Sequence, residues 1–175
     1  MFLDRDGTLN VEKGYVHSPE EWEWIPGAVE ALRRFNRRGF KIVVLSNQSG
    51  IARGYFGAAD VERLHAWVVD ELARRDAKVD AFYFCPHGPG DGCECRKPKP
   101  GMLLRAARDL GLDLSRSWMI GDHASDVGAA RAAGVKPLFV LTGHGAEERP
   151  RLPEGTVVMA DISEACERIE KDLIY

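Results

Sequence analysis

At 175 residues, with a net charge of −3 and an isoelectric point near 6.0, the chain can bury a substantial core in one domain, 1–175. The same balance argues against a broad nucleic-acid surface, and no apolar run approaches the roughly 20 residues that span a bilayer. Acids follow Met1-Phe2-Leu3 at once, unlike a signal peptide, so a cytoplasmic monomer acting on a small molecule is expected, with neither nucleic acid nor membrane as partner.

The first element ends in Asp4-Arg5-Asp6-Gly7-Thr8. Side chains two apart on an extended segment face the same way, so Asp4 and Asp6 converge, and Gly7 lets the backbone turn behind them. Paired carboxylates suit Mg²⁺, a hard ion that takes oxygen ligands, and they suit a nucleophile with an acid/base partner. An Asp-rich turn after an edge strand fits the same five residues. Only three residues precede Asp4, fewer than an ordinary strand, so the start reads as truncated, with a short first strand and reduced burial beneath the acids.

Trp22 and Trp24, ahead of Pro26-Gly27, read as a flap packed on the sheet. Apolar residues at helical spacing then occupy 28–38, 60–75, 101–110, 125–133 and 163–173, with Gly39, Gly111 and Gly134 placed to stop three of these helices. Between them lie β-rich apolar runs at 41–45, 81–84, 117–120, 137–141 and 156–159. Trp67, Trp118 and Cys166 are expected in the core; His65 and His144, with no visible partner, read as surface or capping residues.

Strands and helices that alternate, with continuous apolar strands, predict a three-layer α/β sandwich built on a mainly parallel, Rossmann-like sheet. Ligands of such sheets bind beyond the carboxyl ends of the strands, where Asp4, Ser46, Cys85 and Asp122 fall. Ser46-Asn47-Gln48-Ser49-Gly50 can cradle a phosphate or simply turn the chain. Asp126 reads either as a further site acid or as a helix N-terminal acid. Arg96-Lys97 precede a helix and can neutralise phosphate oxygens, or form a solvated basic turn.

Cys85 and His87, then Cys93 and Cys95, supply three sulfurs and one imidazole within eleven residues. That set suffices for a closed tetrahedral Zn²⁺ site of structural type, a staple for a Pro/Gly-rich loop without its own core. Folding the loop around zinc would place Arg96 and Lys97 over the phosphate site.

Together these motifs resemble the haloacid dehalogenase superfamily of aspartate-nucleophile phosphohydrolases: Asp4 to Thr8 matches its first motif, Ser46 its second, Lys97 its third and Gly121-Asp122 its fourth. The resemblance implies Asp4 as nucleophile and Asp6 as proton donor and acceptor. It also implies Mg²⁺ held by Asp4, the backbone carbonyl of Asp6 and Asp122, with Ser46 and Lys97 on the phosphoryl oxygens. Neither interval between the first three motifs is long enough for a large cap domain.

Within the superfamily, Cys-x-His…Cys-x-Cys-Arg-Lys-Pro is similar to two groups, the heptose 1,7-bisphosphate 7-phosphatases and the histidinol-phosphate phosphatases. The loops 10–17 and 46–54 resemble the first group, implying a phosphorylated sugar substrate contacted by Glu12, Lys13, Gly14, Tyr15, Ser46, Asn47, Gln48, Ser49, Arg96 and Lys97. That group often carries Lys where this chain has His123, so His123 reads either as a substrate contact or as a loop filler. A zinc-knuckle module binding nucleic acid or protein is the alternative of a different kind, opposed by the acidic charge balance and the strand-end acids.

Overall fold

The computed structural model describes residues 1–173. Six strands form one sheet: β1 (Phe2–Asp4), β2 (Val43–Asn47), β3 (Ala81–Cys85), β4 (Trp118–Gly121), β5 (Lys136–Val140) and β6 (Val157–Met159). Their order is β3-β2-β1-β4-β5-β6, and every neighbouring pair is parallel. The helices are α1 (Ala28–Arg37), α2 (Ser49–Ala52), α3 (Ala58–Arg74), α4 (Gly101–Leu110), α5 (Ala124–Ala132), α6 (Gly145–Glu148) and α7 (Ile162–Asp172).

Alternating strand residues feed two cores. Leu3, Val44, Ile120 and Leu138 pack with α1, α3 and α7 on one face, while Phe2, Val43, Leu45 and Met119 pack with α4 and α5 on the other. Both faces are covered, which is why the strands read as unbroken apolar runs. The strand order reverses between β1 and β4, and a crevice at that point lies beyond the carboxyl ends of the strands.

Strand β1 is as short as expected, yet the expected loss of burial beneath the acids does not occur. Phe2 pairs with Val43 on one side and Met119 on the other, so Phe2 and Leu3 are fully buried. Strand β2 starts and ends two residues later than the apolar run suggests, carrying Ser46 and Asn47 as strand residues opposite Phe84 and Cys85. Trp22 packs edge-on against Trp24 and against Trp67 of α3, within the core cluster that also holds Leu3 and Val44 of the sheet. Trp67 and Trp118 are half-buried rather than core, Trp118 lying at the opposite end of the sheet with the Lys136 ammonium 4.9 Å from its ring centre. Cys166 is fully buried, as expected. None of the described helices is long and apolar enough to cross a membrane.

Candidate active site

The end of β1 delivers Asp4 and Asp6 to the crevice, and Gly7 makes the turn possible. Its φ is +81°, and a Cβ there would lie 2.1 Å from an Asp122 carboxylate oxygen, so only glycine lets the chain pass the third acid. Lys97, 3% exposed, reaches beneath these groups, its Nζ 2.7 Å from Asp4 Oδ1, 2.6 Å from Asp126 Oδ1 and 2.9 Å from the Leu45 carbonyl. Asp126 also accepts the His123 backbone N–H at 3.0 Å, so both roles open to it in the sequence are filled at once.

Carboxylate oxygens of Asp4, Asp122 and Asp126 lie within 4.8 Å of one another. Burial first, then the neighbouring Asp126, pushes the Asp4 carboxyl up to about 6 despite Lys97. Burial and the charges of Asp4 and Asp126 push Asp122 up to about 9. Three crowded acids facing one ammonium form a site short of positive charge, and Asp4 and Asp122 offer the hard oxygen donors that Mg²⁺ requires.

Asp6 sits in an opposite environment. Burial alone would raise it, but Arg5 contacts both its oxygens, at 2.9 and 3.1 Å, and Asn10 and Gln48 donate to it at 3.0 Å each. Together they hold its carboxyl below the ordinary value. Two acids two residues apart thus sit in opposite environments: burial and the neighbouring Asp126 favour the protonated form of Asp4, whereas Arg5, Asn10 and Gln48 favour the ionised form of Asp6.

The cavity over this floor has a volume of about 390 Å³. Asp4, Asp6, Glu12, Ser46, Asn47, Arg96, Lys97, Asp122 and His123 all line it. Lys13 instead pairs with Glu23, Tyr15 packs edge-on against Tyr55, Gln48 lies buried beside Asp6, and Ser49 opens α2; these four and Gly14 stand outside the lining.

Sequence reasoning missed other contributors. His144 lines the cavity and donates its backbone N–H to Asp122 at 2.8 Å, and His123 lies 3.3 Å from the buried Glu148. His65 is 6% exposed rather than a surface residue, stacked 4.4 Å from Phe82. Arg5 is fully buried. Its position inside the first acidic motif was the one available signal.

Beyond β3 the Cys85, Cys93, Cys95 and His87 donor atoms also lie within 4.8 Å of one another, with Sγ and Nδ1 separations of 3.1–3.6 Å. A tetrahedron of ligands about 2.0–2.3 Å from a central ion has edges of roughly 3.3–3.8 Å, so the set fits zinc. Burial, with the neighbouring thiols, pushes Cys85 up to about 12, a state that a bound cation reverses. Asn47 joins this loop to the floor: its side chain donates to the Lys97 carbonyl and accepts the Lys97 N–H, both at 3.1 Å.

Residues 94–165 match the family model for HAD-hydrolase-like proteins. Over 93% of its length the chain is 43% identical to 93% of the D-glycero-beta-D-manno-heptose-1,7-bisphosphate 7-phosphatase of Pseudomonas aeruginosa. It is 42% identical to the enzyme of the same name from Escherichia coli, covering 98% of this chain and 95% of that one. The crystal structure of D,D-heptose 1,7-bisphosphate phosphatase from B. bronchiseptica, complexed with magnesium and phosphate, matches at TM-score 0.92 and 40% identity across 98% of both chains. The chain belongs to the heptose-1,7-bisphosphate 7-phosphatase family of HAD-like hydrolases.

Proposed function

We propose that the protein hydrolyses the C7 phosphate of D-glycero-D-manno-heptose 1,7-bisphosphate, releasing heptose 1-phosphate and inorganic phosphate, with Asp4 as nucleophile and Asp6 as acid and base. The supporting observation is the cavity in which Asp4 and Asp6, a buried lysine and a cation-deficient carboxylate cluster meet. An Asp4 oxygen attacks phosphorus in line with the departing sugar oxygen. As the P–O bond to the sugar breaks, Asp6 gives its proton to that oxygen, leaving a phospho-aspartate on Asp4 and a carboxylate at Asp6. Water then attacks the phosphorus, Asp6 takes a proton from it, and the bond to Asp4 breaks to free phosphate.

Lys97 and Ser46 hold the phosphoryl oxygens through both steps. Asp4, Asp122 and the Asp6 carbonyl would hold Mg²⁺, which supplies positive charge to the transferring phosphoryl group. Cys85, His87, Cys93 and Cys95 would hold Zn²⁺ and so fix the loop that presents Arg96. Arg96 lines the cavity while one guanidinium nitrogen donates to the His87 carbonyl at 3.1 Å, a pose suited to a second, retained phosphate. Glu12 reaches the cavity from the facing loop and suits sugar hydroxyls.

We assign the β anomer as substrate on the names of the P. aeruginosa and E. coli relatives. The protein is proposed to work as a cytoplasmic monomer: its cysteines are unpaired and, among the described residues, its large exposed apolar residues are few. Phosphate release from both anomers of the bisphosphate and from histidinol phosphate, with and without Mg²⁺, tests the reading. Preference for the β anomer and dependence on Mg²⁺ are expected; preference for histidinol phosphate would overturn the substrate while leaving the chemistry.

A further inference from the structure

Arg5 is an unusual residue: a full positive charge with no solvent contact, directly between two site acids in sequence yet absent from the cavity lining. Such a charge persists only where acceptors meet it, and four of its five N–H groups have one. Its Nε and Nη2 take the two oxygens of Asp6, Nη2 also donates to the Val16 carbonyl at 2.5 Å, and Nη1 lies 3.4 Å from His65 Nε2. A guanidinium can only donate, so His65 must accept through Nε2 and carry its proton on Nδ1. Burial and the nearby Arg5 push the His65 imidazole down to about 3, consistent with a neutral acceptor. Phe82, stacked on the ring at an interplanar angle of 20°, fixes its plane.

We propose that Arg5 and His65 are positioning residues for the acid/base step: His65, from behind the site, orients the Arg5 guanidinium so that its fork locks Asp6 and ties it to the loop that carries Glu12. The proposal rests on Asp6 being the proton donor. Because the fork meets both Asp6 oxygens, it fixes the direction in which that carboxyl faces the departing oxygen. The Val16 carbonyl makes the lock complete only when loop 10–17 is seated, coupling proton donation to the loop's position.

The test compares leaving groups. A sugar alkoxide needs a proton as it departs, whereas p-nitrophenolate leaves without one, and kcat/KM reports the step that forms the phospho-aspartate. His65→Phe keeps the ring and its stack on Phe82 but removes the acceptor; His65→Gln restores one. For His65→Phe we expect a loss of kcat/KM about tenfold larger on heptose bisphosphate than on p-nitrophenyl phosphate, with most of that difference recovered in His65→Gln. Equal losses on both substrates, no loss at all, or failure of His65→Gln to recover the difference would overturn the proposal. Asp6→Asn, measured alongside, separates the two readings. If it too shows no leaving-group dependence, the acid/base assignment falls and this inference with it; if it shows the dependence and His65→Phe does not, only the positioning role falls. Thermal melts of each variant confirm that the folded protein is being compared.

Discussion

The two halves of the site are held by different forces. The acidic floor grows out of β1 and β4, whose residues Phe2, Leu3, Met119 and Ile120 are buried between helical layers, so its geometry follows from the hydrophobic core. The cationic rim grows out of a segment with no regular element between Cys85 and Gly101, in which Cys93 and Cys95 are only half-buried. Only its cysteines pack on the apolar core, and there four converging donors meet. On the proposed function the contrast runs between attack and selection: Asp4 sits at the end of a sheet strand, Arg96 sits on the loop, and Lys97 reaches from the loop into the floor.

The contrast breaks most sharply at Asp4. Asp4→Asn removes the nucleophile and should reduce phosphate release by at least about 10⁴-fold, with the melting temperature equal to or above that of the parent, because a strained buried acid has been neutralised. Activity within tenfold of the parent, checked by phosphate release on purified protein, would contradict the nucleophile assignment. Cys93→Ser attacks the other half. It should lose zinc, measured by elemental analysis, and reduce kcat/KM on the bisphosphate by about 10–100-fold, while the sheet melts as before. Loss of zinc with unchanged kinetics would show that the rim does not depend on the metal.

Asn47 is the seam between the halves, and its twin hydrogen bonds to Lys97 grip the loop's backbone in both directions. Asn47→Ala should cost about 1–2 kcal/mol of stability and roughly tenfold in kcat/KM, since two buried backbone groups lose partners and Lys97 loses its register. A variant as active and stable as the parent would mean that the loop is placed by its own cluster alone.

What the sequence disclosed follows from the range of its signals. Strand-end acids were legible because a two-residue period and Gly7 act locally, and the cysteine cluster because its donors lie within eleven residues. Strand β2 was misplaced by two residues because polar Ser46 and Asn47 interrupt the apolar run although they pair with Phe84 and Cys85. The Lys97–Asp126 contact, the burial of His65 against Arg5 and the arrival of His144 at Asp122 all join residues far apart in the chain. No periodicity encodes such pairs; they arise from the order in which parallel strands stack. His144 was further concealed because α6 has four residues, too few for a helical pattern.

The smallest effect concerns the floor's charge, and it distinguishes an acid cluster built for a cation from one that is merely crowded. A carboxyl whose value in the folded protein is raised binds its proton more tightly there than in the unfolded chain. Its contribution to stability is therefore full below the unfolded value and is lost as pH rises through the folded one. For Asp4 that loss runs from its ordinary value of 3.8 to about 6, and for Asp122 it continues to about 9. Metal-free protein should accordingly melt several degrees lower at about pH 8.5 than at about pH 5.5. Mg²⁺ binds the ionised form, so adding it should raise the melting temperature at the higher pH more than at the lower, flattening the profile. Chelation of zinc should not reproduce this slope, because the thiols lie outside the carboxylate cluster. If Mg²⁺ shifts both melting temperatures equally, or neither, the three acids are not the divalent site and the division between floor and rim must be redrawn.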